Sequence, residues 1–175
     1  MTLKLKRTPG LYLVGFMGCG KTTIGTSLAD ELGWCFVDID SDIERREQKT
    51  IADIFSERGE AAFRDLEAEV IRQRVTEVES GNPCVVALGG GALVRPQNWE
   101  LVTNNGVTVW LDCPFETVRK RINGDVTRPL ARNHDTLEKL YAERRPLYSR
   151  ADYRVDVRSA DLSETVRNIL QLPIF

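Results

Sequence analysis

Residues Gly15-Phe16-Met17-Gly18-Cys19-Gly20-Lys21-Thr22 satisfy the phosphate-loop spacing G-x-x-x-x-G-K-[ST], and nothing else in the chain limits its fold so sharply. The apolar run Leu11 to Val14 just before it reads as a buried strand. Thr23 to Leu32 just after it reads as a helix, with Ile24, Leu28 and Leu32 spaced for one face. Glycines in such a loop let backbone N–H groups turn inward around phosphate oxygens, and the positive end of the following helix faces the anion. Lys21 has the length to reach the β- and γ-phosphates, and the Thr22 hydroxyl suits Mg²⁺. The plain alternative, a glycine-rich turn with an exposed lysine, does not account for the flanking strand and helix. The loop is expected to hold a nucleotide's phosphates.

Four further segments read as strands: Trp34 to Val37, Pro83 to Leu88, Val107 to Leu111 and Tyr153 to Val157. Most are continuous and β-branched, the pattern of strands buried on both faces of a parallel sheet. Helical patterns fill the spaces between them, at about Ser41 to Gln48, Ile51 to Glu57, Glu60 to Glu79, Pro96 to Thr103, Pro114 to Ile122, Thr136 to Arg150 and Leu162 to Leu170. Alternation of this kind predicts an α/β three-layer sandwich around a five-stranded parallel sheet, with ligands beyond the carboxyl ends of the strands. A length of 175 residues fits a single domain spanning the chain. The segment from Asn123 to Asp135 follows neither period, and reads either as a surface loop or as a lid over the phosphates.

A formal net charge of −2 argues against a general nucleic-acid or membrane-surface binder. The basic stretch Thr2 to Pro9 has no apolar signal region, so a cytoplasmic location is expected. The four cysteines (Cys19, Cys35, Cys84, Cys113) lie far apart and share the chain with one histidine, His134. Zinc-ligand spacing is therefore missing, and a disulfide framework is not expected at this size; the cysteines read as small buried hydrophobes, apart from Cys19 inside the phosphate loop.

Polar residues gather where strands end. Asp38 and Asp40, two apart at the end of the second strand, are expected on one side of it, one for the Mg²⁺ water shell and one for a substrate hydroxyl. Helix capping by Asp40 or Ser41 is the competing reading. Gly89, Gly90 and Gly91 end the third strand and allow either a close backbone approach or a positive φ. Arg64 and Glu67, three apart, share a helix face and form either part of a site or a surface ion pair. Arg144 and Arg145 offer two guanidiniums, one of which a small anion could use bidentately; the other is expected to behave as a surface charge.

In order and spacing, these motifs make the chain resemble the shikimate kinases over nearly its full length: the phosphate loop, Phe36 to Glu44, Ile51 to Glu67, the triple glycine, Arg128 to Leu130, and Arg144 to Tyr148. The resemblance implies a P-loop NTPase of the nucleoside-monophosphate-kinase-like type, acting as a monomer with ATP and Mg²⁺. The implied reaction is transfer of the γ-phosphate to the 3-hydroxyl of shikimate. It implies Lys21, Asp40 and Arg128 as catalytic residues, with Arg128 in the lid. It implies that Asp40, Arg64, Glu67, Gly89, Gly90, Gly91 and Arg144 bind shikimate, and that Thr22 and Asp38 hold the metal. ATP would be held by Gly18, Cys19, Gly20, Lys21, Thr22, Thr23, Arg121, Arg128 and Ser159, with Arg121 stacked on adenine. The segment Asp156 to Leu162 lacks the proline common in the family's adenine loop. Rival readings are a kinase for another small acceptor, or a non-catalytic nucleotide-binding regulator of the same fold.

Overall fold

Strands β1 (Gly10–Val14), β2 (Cys35–Asp38), β3 (Cys84–Ala87), β4 (Val107–Asp112) and β5 (Tyr153–Asp156) form one sheet in the order β2-β3-β1-β4-β5. Every pairing is parallel. The computed structural model describes residues 10–122, 134–158 and 161–174. The helices are α1 (Lys21–Leu32), α2 (Ile39–Glu47), α3 (Ile51–Glu79), α4 (Pro96–Asn104), α5 (Phe115–Ile122), α6 (His134–Tyr148) and α7 (Leu162–Leu170). Helices α1 and α7 pack together on one side of the sheet, and α3 and α4 on the other. The expected three-layer α/β architecture is the observed one.

Position in the sheet explains the sequence pattern of each strand. Strands β1, β3 and β4 have neighbours on both edges and a helix layer over each face, so every residue in them is buried. Strand β2 lies at the edge and is only half-buried. The chain leaves β1 toward β2 and later returns past it to β4, which makes the carboxyl end of β1 the point where strand order reverses. A crevice forms at such a point, and the phosphate loop opens into it.

The two helices expected on either side of Gly59 run on as α3 but break at that residue, which has φ 82° and ψ 172°. A side chain would be strained there, and glycine is not. One expectation is overturned at the sheet edge. Cys35 and Cys84 face each other in the β2–β3 register with Cα atoms 4.6 Å apart, and they are bonded as a disulfide. Parallel pairing brings together two cysteines 49 residues apart, a proximity that linear spacing cannot display. Cys35 is exposed, whereas Cys19, Cys84 and Cys113 are buried as small hydrophobes.

Helix α2 is fastened to α3 through a carboxylate at its centre. Asp42 is 2% exposed and accepts two hydrogen bonds from Arg74, at 2.8 and 2.9 Å. Arg45 and Arg46 reach it from the same helix at 2.9 and 3.3 Å. Burial pushes its pKa up, but the three guanidiniums outweigh burial and hold it below the ordinary carboxylate value. A group depressed on folding contributes stability above its unfolded value of about 3.9, and loses it as pH falls through the folded value. Asp42→Asn should therefore destabilise the protein by about 2–4 kcal/mol near pH 7. The gap to the parent should stay flat down to about pH 5 and close below about pH 4, as urea unfolding at several pH values would measure. A gap that did not change with pH would remove the charge from this account.

Candidate active site

The phosphate loop takes its shape from glycines at positive φ: Gly15 at 151°, Gly18 at 75° and Gly20 at 98°. At Gly15 an added Cβ would also meet the Leu111 carbonyl and the Cys19 sulfur, at 2.8 and 2.9 Å. Gly20 caps α1 in the left-handed conformation without a side-chain hydrogen bond, and no acidic residue lies in the first turn of that helix. Helices α2, α3 and α7 instead carry side-chain caps, from Asp38, Thr50 and Asp161. The first turn of α1 thus presents N–H groups and its positive dipole end to the crevice, the arrangement that binds phosphate. The Lys21 ammonium donates to the carbonyls of Gly15 and Phe16 at 2.8 and 3.0 Å, folded over the loop that it would release to reach phosphate. Thr22 and Thr23 follow on the exposed side of α1.

Asp38 and Asp40 are not two residues of one strand. Helix α2 begins at Ile39, so Asp38 is both the last residue of β2 and the N-cap of α2, accepting from the Ser41 N–H at 3.2 Å. The capping reading was right about the helix but named the wrong residue, and the strand-alternation argument does not apply. Asp38 Oδ2 also accepts from the Thr22 hydroxyl at 2.6 Å, which brings two hard oxygen donors together beside the phosphate loop. That donor pair fits Mg²⁺, which takes one or two protein ligands and completes its shell with water and phosphate oxygens. Asp40, in the first turn of α2, is turned toward the glycine segment after β3.

The three glycines serve close approach, since none of them has a positive φ. A Cβ on Gly89 would sit 2.7 Å from Asp40 Oδ1 and 2.8 Å from Glu67 Oε1, and a Cβ on Gly91 would overlap the Arg64 guanidinium. Arg64 donates to Glu67 Oε2 at 2.8 Å. Glu67 is 1% exposed, so this is no surface pair. Burial raises the Glu67 pKa above the usual carboxylate value; Arg64 and Arg144 oppose the shift, and Asp40 adds to it. Arg144 reaches the Gly90 carbonyl at 3.4 Å, and the buried Tyr148 donates to the same oxygen at 2.5 Å. Two guanidiniums and two carboxylates, on α2, α3 and α6, therefore ring the glycine turn. Tyr148 had no role assigned from sequence; its place four residues after Arg144, on the same helix face, was the available signal.

Arg145 is not the surface charge that was expected. It donates to both oxygens of Asp112 at 2.5 and 2.9 Å, and Asp112, at the end of β4, is 8% exposed. Arg121 in α5 donates to the Gly18 carbonyl at 3.2 Å, which seats it against the phosphate loop. Arg128, Ser159 and most of the segment 123–135 lie outside the described residues.

The family model described as Shikimate kinase matches residues 17–172. A shikimate kinase of Persephonella marina is 42% identical over 161 residues, covering 91% of this chain and 96% of its own length. The solved structure of shikimate kinase from Acinetobacter baumannii in complex with shikimate aligns with TM-score 0.88 and 37% identity, over 95% of this chain and 93% of the other. A gluconokinase from Sinorhizobium meliloti aligns with TM-score 0.59 at 20% identity over 94% of this chain and 91% of its own, a likeness of fold alone.

Proposed function

The chain belongs to the shikimate kinase family, and from that premise we propose that it transfers the γ-phosphate of ATP to the 3-hydroxyl of shikimate, with a division of labour readable in its own residues. The observation that carries this reading is the gathering of Arg64, Arg144 and Asp40 around the Gly89–Gly91 turn, next to a phosphate loop. Paired guanidiniums suit the carboxylate of a small anionic polyol, and a nearby carboxylate suits its hydroxyls.

Phosphoryl transfer passes through a loose transition state, so positioning and charge outweigh base catalysis. Lys21 leaves the loop carbonyls for the phosphate oxygens. Arg64 and Arg144 hold the acceptor carboxylate, with Glu67 keeping Arg64 in place. Asp40 accepts the hydrogen bond of the attacking hydroxyl and takes its proton as the new P–O bond forms. Gly89, Gly90 and Gly91 let the acceptor and its ligands approach the backbone closely. Thr22 and Asp38 would hold Mg²⁺, which neutralises phosphate charge when bound. We assign Arg121, which donates to the Gly18 carbonyl of the loop, to the adenine of the nucleotide. We assign Ser159 to the nucleotide and Arg128 to the γ-phosphate, within a lid at residues 123–135 of a single domain. Hydrogen exchange over that segment should slow when an ATP analogue and shikimate are both bound, and unchanged exchange would leave it a plain loop.

Among the described residues no helix is long and apolar enough to cross a membrane. We place the reaction in the cytoplasm, with a monomeric enzyme that needs no nucleic acid.

An acceptor screen tests the function. ADP release should require shikimate and fall to background when EDTA removes the metal; release with gluconate instead would favour another small-acceptor kinase. Gly91→Ala offers a finer check. The new methyl group would displace the Arg64 guanidinium, a flexible tip, so folding should survive while KM for shikimate rises about tenfold and KM for ATP stays constant. An unchanged KM would remove Arg64 from the acceptor site.

A further inference from the structure

We propose that Asp112, Tyr141 and Arg145 form a positioning clamp that fixes the rotation of α6 and so aims Arg144 at the acceptor carboxylate. The inference rests on the role given above to Arg144. Residues 141, 144, 145 and 148 share one face of α6, at spacings of three and four. Pro146 lies within the last turn, where it lacks the N–H that would bond to the Ala142 carbonyl. The turn that carries Arg144 is therefore short of one backbone hydrogen bond, and its side chains supply the missing constraint.

They do so at two points. Tyr148 fastens the end of the helix to the Gly90 carbonyl. The second point is the clamp. Arg145 grips both oxygens of Asp112 and also donates to the Tyr141 hydroxyl at 2.8 Å, and that hydroxyl donates to the Cys113 carbonyl at 2.8 Å. The Arg145 guanidinium lies 4.9 Å from the Trp110 ring and 5.5 Å from the Tyr141 ring. Tyr141 packs edge-on to Phe16 of the phosphate loop at 5.2 Å. Arg154 from β5 reaches the same Asp112 carboxylate at 2.8 Å. Asp112 ends β4, an interior strand paired on both edges, so the clamp refers α6 to the buried sheet.

One attachment at Tyr148 leaves α6 free to roll about that point, and a second one stops the roll. A roll of about 20° carries a side-chain tip ~6 Å from the helix axis through ~2 Å, enough to spoil a two-pronged contact. The clamp residues bond to one another and to the Cys113 carbonyl, and they act through Arg144.

Steady-state kinetics on Asp112→Asn, alone and combined with Arg144→Ala, tests this. Asp112→Asn keeps the shape and removes the charge that Arg145 grips. KM for shikimate should rise about 5- to 10-fold, with kcat and KM for ATP within about twofold. In the Arg144→Ala background the same change should add less than about twofold, because the residue being aimed is gone. A general loosening of the fold would raise both KM values, or would multiply its full effect on that of Arg144→Ala, and either result overturns the proposal. If Asp112→Asn does not fold, Arg145→Lys, which keeps the charge and loses the fork, is read by the same criteria. Arg144→Ala without any effect on shikimate would instead strike the proposed function itself, so the two failures are distinct.

Discussion

Lys21→Ala is expected to lower turnover about 10³-fold, with a much smaller change in the affinity for shikimate. Transferring a γ-phosphoryl group spreads negative charge over its equatorial oxygens, and fixed positive charge in a water-poor site is worth several kcal/mol to that state. Lys21 is the cation built into the loop, and its ammonium is already held there by the Gly15 and Phe16 carbonyls. Those contacts have a second consequence. Without the lysine the two carbonyls lose a donor and the loop loses a brace, so part of the deficit could be structural. Lys21→Met separates the causes: it fills the space without the charge, and it should be nearly as inactive as Lys21→Ala. Turnover restored by methionine would show that Lys21 acts as a brace and not as a charge.

Arg144→Ala should reduce kcat/KM for shikimate by ~30- to 1000-fold and leave KM for ATP almost unchanged. A charge-assisted pair with a desolvated carboxylate costs on the order of 2–4 kcal/mol to lose, and that cost converts to the stated range. Arg64 remains to hold the acceptor, which is why the loss is not complete. Arg144→Lys should fall between the two, since it keeps the charge without the planar fork. Kinetics that varied both substrates would settle it: a rise confined to KM for ATP would move Arg144 to the nucleotide side.

The positions of the strands along the chain and the phosphate loop were legible in the sequence because both rest on local pattern. Runs such as Leu11 to Val14 are apolar throughout because each residue meets a helix layer, and the loop glycines carry a backbone geometry that other residues avoid. Contacts set by the tertiary fold were not legible. Cys35 and Cys84 meet only through strand register, and Arg145 finds Asp112 across 33 residues. Asp38 and Asp40 were singled out on a strand alternation that the early start of α2 removes. The triple glycine was marked for either of two reasons. The carboxylates of Asp40 and Glu67 and the guanidinium of Arg64, packed where side chains would stand, decide for close approach.

The central claim is the identity of the transfer, and the position of the new phosphate tests it most directly. The protein incubated with ATP, Mg²⁺ and shikimate should yield ADP and a phosphorylated shikimate in equal amounts, with ³¹P–¹H coupling placing the phosphate on the 3-hydroxyl. ADP formed without a phosphorylated acceptor, or a phosphate on another hydroxyl, would contradict the account of Asp40, Arg64 and Arg144 as the acceptor site.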